Sequence, residues 1–136
     1  MVKIFIVEDH PIMRQSLRAL LERETDLVVG GEAGSGENAL EQIDQEIPDL
    51  VLIDVSLPGM NGIELAGLLR ERYPELPLVM LSGHREKSHV DQAFRAGAHG
   101  YILKGHGREL PPAIRQIMRG ERYLSSAIRT SAPDGQ

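Results

Sequence analysis

The chain has 136 residues, 41% of them hydrophobic, with a formal net charge of −5. This excludes a disordered chain, gives a single domain room for a core, and argues against the basic footprint of a nucleic-acid binder. Cysteine is absent, so disulfide frameworks and thiolate metal sites are excluded and a cytoplasmic setting fits, and no apolar run approaches a membrane span.

The N-terminus, MVKIFIVED, reaches acids within eight residues and has no small-residue cleavage site. It reads as a first strand, Val2–Val7, rather than a signal peptide. Pro11–Glu24 follows as a helix, with Met13, Leu17, Leu20 and Leu21 on one stripe and Pro11 in the first turn. Leu27–Gly31 is a second, weaker strand. Ser35–Glu46 carries Ala39, Leu40 and Ile43 at helical spacing and stops at Pro48. Leu50–Ile53 is the third strand, and it runs straight into Asp54 and the turn signals Pro58-Gly59 and Asn61-Gly62. Gly62–Tyr73 is a helix stopped by Pro74, Leu78–Leu81 the fourth strand, and Glu86–Ala96 a helix capped by Gly97. Gly100–Leu103 is the fifth strand and Ala113–Arg119 the last helix. Leu110-Pro111-Pro112 suggests that this helix begins near Pro111, because proline suits only a first turn and the residue before it avoids the helical region.

Alternating strands and helices predict an α/β fold: a single (βα)5 flavodoxin-like domain with a parallel five-stranded sheet in order 2-1-3-4-5. The segment SSAIRTSAPDGQ is small and polar. The expected division is a domain over 1–124 and a polar linker stub or frayed tail over 125–136. Arg108, Arg115, Arg119 and Arg122 lend the C-terminal part a basic lean that a solvated helix face explains.

Ligands of such sheets bind beyond the carboxyl ends of the strands. The polar residues there are Glu8 and Asp9 after strand one, Asp54 after strand three, Ser82 after strand four and Lys104 after strand five. The strand order brings them together. Three crowded acids with oxygen ligands only suit a hard dication, Mg²⁺ in preference to zinc. A carboxylate beside such an ion, a hydroxyl and a lysine suits phosphoryl transfer, with Asp54 as nucleophile, exposed to solvent by the turn after it. Singly, each residue has a plainer reading. Glu8-Asp9-His10-Pro11 could cap a helix, Lys104 could be a surface lysine, and Ser82-Gly83 a loop. The five histidines, at 10, 84, 89, 99 and 106, show no clear zinc spacing, and Gly34-Ser35-Gly36-Glu37 lacks the lysine of a P-loop.

The segments IVEDHP (6–11), LIDVSLPGMNG (52–62), LVMLSG (78–83) and AGAHGYILKG (96–105) resemble the receiver domain of two-component response regulators. The resemblance runs from Val2 to about Ser125. EDHP, AGAHGYILKG and GERYLS (120–125) are most similar to receivers that precede a LuxR-type helix-turn-helix. It implies that Glu8 and Asp9 hold Mg²⁺ with Asp54 and the Ser56 backbone carbonyl. It further implies that Asp54 is the phosphoacceptor, that Ser82 and Lys104 bind the phosphoryl group, and that Tyr101 is an aromatic switch, although a strand aromatic can also be plain core. Gly105 departs from receivers with proline at that position.

The expected function is a phosphorylation-dependent switch rather than an enzyme on external substrates. A sensor histidine kinase is the expected partner. The output would be homodimerisation through the helix 4, strand 5 and helix 5 surface, or DNA binding through a C-terminal domain absent here. By itself this chain is expected to bind neither DNA nor membrane, and a receiver fragment is favoured over a stand-alone receiver. The alternatives are an aspartyl-phosphate phosphohydrolase, disfavoured by Ser56 where a second Asp would stand, and a pseudo-receiver that only mediates contacts.

Overall fold

Side-chain alternation along the strands divides the core in two. On β1 (Val2–Val7), Ile4 and Ile6 pack with Leu17 and Leu21 of α1 (Pro11–Glu22) and with Ile114 and Ile117 of α5 (Leu110–Met118). Phe5 and Val7 face the opposite way. They belong to one cluster with Ile43 of α2 (Gly36–Gln45), Leu65 and Leu69 of α3 (Gly62–Arg72) and Val90 of α4 (Lys87–Ala96). β3 (Leu50–Asp54) alternates in the same way, with Leu50 and Leu52 on one side and Val51 and Ile53 on the other. Helices therefore cover both faces, and strands buried on both sides read as continuous apolar runs.

This computed structural model describes residues 1–131. With β2 (Leu27–Ala33), β4 (Leu78–Ser82), β5 (Gly100–Leu103) and β6 (Tyr123–Leu124), the strands form one parallel sheet in the order β2-β1-β3-β4-β5-β6. The predicted order 2-1-3-4-5 is present, and β6 adds a short sixth strand beside β5. Helix α5 starts at Leu110, one residue before Pro111, after a 3-10 turn over Gly107–Glu109. Both prolines thus lie in the first turn, where a missing N–H costs no helical bond. Leu110 is helical (φ −60°, ψ −53°) against the usual bias before proline, because the 3-10 turn leads the chain into it. Gly105 has φ +90°, which proline cannot adopt.

The C-terminal segment differs from the expected frayed tail. Ser125 is fully buried, α6 spans Ser126–Ser131, and Ile128 is buried in the cluster with Phe5 and Val90. Residues 132–136, the rest of that predicted tail, lie outside the described residues. Glu109 is the anchor. Its carboxylate accepts from Tyr123 Oη (2.7 Å), Ser125 Oγ (2.7 Å) and Ser126 N (2.8 Å). Polar side chains thus tie down a segment without apolar periodicity. Two members of the basic lean are occupied within the chain: Arg115 forks onto Asp26 (2.9 and 2.8 Å) and reaches Glu24 (2.6 Å), and Arg122 lies over the Phe94 ring.

Burial would raise the Glu109 carboxyl, but the hydrogen bonds from Ser125, Ser126 and Tyr123 outweigh it and hold it at about 2. A depressed acid stabilises the fold above its unfolded value and loses that contribution as pH falls toward the folded one. Glu109→Gln should therefore cost about 1–2 kcal/mol near neutral pH. In paired urea melts the deficit should shrink as pH falls from about 7 to about 3. An equal deficit at both values would show that the charge is not what holds the segment.

Candidate functional site

The end of β3 is shaped by one glycine. Val55 N donates to Leu81 O (3.0 Å) and Gly62 N to Val55 O (2.9 Å), folding the intervening loop back onto the strand. A Cβ at Gly62 would lie 2.4 Å from Asp54 O and 2.7 Å from Val55 Cα, so only glycine lets α3 begin there. Asn61 and Glu64 close a capping box at the same point.

Asp54 is fully buried. Its Oδ1 accepts from Ser56 N (3.0 Å) and lies 3.0 Å from Lys104 Nζ, while its Oδ2 is buried with no hydrogen-bond partner. This corrects the expectation that the turn exposes Asp54 to solvent. The turn bonds back to it through Ser56 N instead, and Lys104, 29% exposed, lies against the same oxygen.

Glu8 is also fully buried. Its Oε2 faces His10 N (3.1 Å) and His10 Nδ1 (3.0 Å), and Arg14 donates to its backbone carbonyl (2.6 Å). His10 Nδ1 is also 3.2 Å from Asp9 Oδ1, an ion-pair distance without hydrogen-bond alignment. Burial pushes the Glu8 carboxyl up, the bonds from His10 oppose this, and the Asp54 charge adds to the rise. Glu8 and Asp9 raise the His10 imidazole in turn. The helix-capping reading of these acids does not hold: His10 occupies the N-cap without a side-chain bond, and neither acid is in the first turn.

Ligand atoms of Glu8, Asp9, His10 and Asp54 lie within 4.8 Å of one another. Glu8 Oε1, Asp9 Oδ1 and Asp54 Oδ2 are buried and unpartnered. Buried carboxylate oxygens without donors are costly, and a cation among them removes that cost. The acidic donor set fits a hard, oxygen-seeking dication.

Ser82 ends β4, one residue beyond Leu81, the register partner of Asp54. Its Oγ accepts from His84 N (3.0 Å). The Tyr101 ring is buried, and its hydroxyl donates to His84 O (2.8 Å). Burial pushes the Tyr101 hydroxyl up. Tyr101 is therefore core and tether at once. Ser35, in the segment set aside as a P-loop, caps α2 by accepting from Asn38 N (3.2 Å).

The predicted residues Glu8, Asp9, Asp54 and Lys104 are thus brought together, with Ser82 on the adjoining strand end. Ser56 joins them through its N–H. His10 and Arg14 escaped the sequence reading. Both follow the acids closely, but a side chain bonding back across a strand end leaves no period to detect.

Residues 4–115 match the family model for the response regulator receiver domain. The transcriptional activator protein ExaE of Pseudomonas putida is 38% identical over 128 residues, 93% of this chain and 60% of its own length. The nitrate/nitrite response regulator protein NarL of Escherichia coli is 36% identical over 126 residues, 92% of this chain and 58% of its own. The crystal structure of a LuxR-family two-component response regulator from Aurantimonas sp. SI85-9A1 superposes with a TM-score of 0.91 at 34% identity, covering 96% of this chain and 94% of that one. The chain thus spans no more than 60% of the length of these two curated relatives.

A raised carboxyl or imidazole stabilises the fold below its unfolded value, and that contribution is lost as pH climbs through the folded value. With chelator present, stability should therefore fall as pH climbs above the ordinary carboxylate and imidazole values and Glu8 and His10 deprotonate. Glu8→Gln should flatten this slope and exceed the parent near neutrality by about 1 kcal/mol. Urea melts in EDTA across that range check it; parallel slopes would show that the Glu8 charge is not under strain.

Proposed function

This chain belongs to the response regulator receiver family of two-component signalling, and from that premise we propose that it is a switch operated by phosphorylation of Asp54. The observation that carries this is the asymmetry of the Asp54 carboxylate. Lys104 and Ser56 hold Oδ1, while Oδ2 has no partner and lies among the acids. A carboxylate so held presents one oxygen as nucleophile.

In the proposed step, an Asp54 oxygen forms a bond to phosphorus as the P–N bond of a kinase phosphohistidine breaks. The electron pair leaves with the imidazole, which takes up a proton. Glu8, Asp9, Asp54 and the Ser56 carbonyl would hold Mg²⁺. Bound there, the ion would supply positive charge against the acids and the phosphoryl oxygens. Lys104 exchanges its contact with Asp54 for one to a phosphoryl oxygen, and the Ser82 hydroxyl turns from His84 N to another. That removes one of two hydrogen bonds holding the His84 backbone, and Tyr101 is the other. Release of this loop would carry the change to α4 and the β5 surface, where a homodimer or an output domain reads it.

The phosphohydrolase alternative is weaker, since Ser56 offers Asp54 a backbone N–H and no second acid. The relatives' names and lengths favour a receiver that works with a DNA-binding domain in a longer protein, in the cytoplasm, with a sensor histidine kinase as donor. Among the described residues no helix is long and apolar enough to cross a membrane.

Incubation with acetyl phosphate and Mg²⁺ should add one phosphoryl group by intact mass, and EDTA or Asp54→Asn should abolish it. Unchanged labelling of the Asn variant would move the nucleophile elsewhere. Lys104→Ala should retain Mg²⁺ binding, because a protonated lysine offers the ion no lone pair, yet lose phosphorylation-dependent dimerisation. Parent-like dimerisation of the labelled variant, read by light scattering, would remove Lys104 from the switch.

A further inference from the structure

The loop after β4 brings together a second group of ligand atoms, separate from the acids. His84, Glu86 and His89 each offer one, all within 4.8 Å of one another. The sequence spacing conceals them, because His84 is in the loop, Glu86 is the N-cap of α4 and His89 lies in its first turn. One carboxylate oxygen, Glu86 Oε2, lies 3.6 Å from His84 Nδ1 and 3.7 Å from His89 Nε2. The two imidazoles stack at 4.1 Å with their planes 5° apart. Ligands bound at about 2.1 Å in tetrahedral directions are about 3.4 Å apart, so the donor spacing suits an ion, which the two rings would seat by turning out of their stack until both nitrogen lone pairs point at it. Two imidazoles and one carboxylate are the donors of a borderline transition metal, unlike the acidic site.

We propose that His84, Glu86 and His89 form a binding site for a transition-metal dication of the Zn²⁺ class, with its remaining position open to water. The site has a mechanical consequence that rests on the switch role proposed above. The His84 backbone holds both the Ser82 hydroxyl and the Tyr101 hydroxyl. A metal fixing the His84 ring to α4 opposes release of that loop, so it should oppose phosphorylation of Asp54.

Zn²⁺ titration against a chromophoric chelator, with excess Mg²⁺ filling the acidic site, tests the site itself. One equivalent should bind. His84→Ala and His89→Ala, both at exposed rings, should each weaken it at least tenfold, and Glu8→Gln should leave it unchanged. No binding by the parent, parent-like binding by both alanine variants, or a loss confined to Glu8→Gln would overturn the site. For the coupling, Zn²⁺ should slow acetyl phosphate labelling of the parent at least threefold and that of His89→Ala less than twofold. Equal rates with and without Zn²⁺, or equal slowing of both proteins, would overturn the coupling and leave the binding site standing. Failure of Asp54 labelling without Zn²⁺ would instead strike the phosphorylation reading.

Discussion

Three carboxylates crowd the ends of two adjacent strands, and two of them are fully buried. Like unit charges at about 4 Å repel by about 4 kcal/mol at an effective dielectric constant near 20. One lysine at 3.0 Å from Asp54 and one histidine beside Glu8 offset part of that. A fold optimised for stability alone would not gather these acids. The parallel order gathers them because β1 and β3 are neighbours and end at the same level. The continuous apolar strands supply the burial that keeps the arrangement folded.

Most of this was legible because the pattern is local. Val51, Leu52 and Ile53 announce a strand buried on both faces, and the acid after them stands out against it. Prolines 48 and 74 stop helices where the structure stops them, within two or three residues. The burial of Asp54 was not legible. Turn residues at Pro58 and Gly59 indicate a change of direction, but whether the loop opens outward or folds over the strand depends on backbone bonds from Val55 and Gly62 to other segments. The C-terminal segment was missed for a similar reason. Ser125 is buried by hydrogen bonds to a residue sixteen positions earlier. A polar composition cannot distinguish a solvated segment from one bonded to a single buried-side carboxylate.

Residue 84 joins the end of β4 to the start of α4. Its N–H serves Ser82, its carbonyl serves Tyr101, and its ring faces Glu86 and His89. A Cβ built at Gly83, the residue before it, would meet nothing within 4 Å.

The two-residue β6 has a significance beyond its length. An uncovered outermost strand presents a row of free amides and carbonyls on which another copy can build, and β5 is a short, fully buried strand of Gly, Tyr, Ile and Leu. Tyr123 N reaches His99 O at 3.0 Å, and Ser125 N reaches Tyr101 O at 2.8 Å, so these carbonyls are already occupied. The segment acts as a selvedge. It covers the border of the sheet beside Tyr101 with a strand of only two residues, which leaves a neighbouring molecule few backbone groups on which to build.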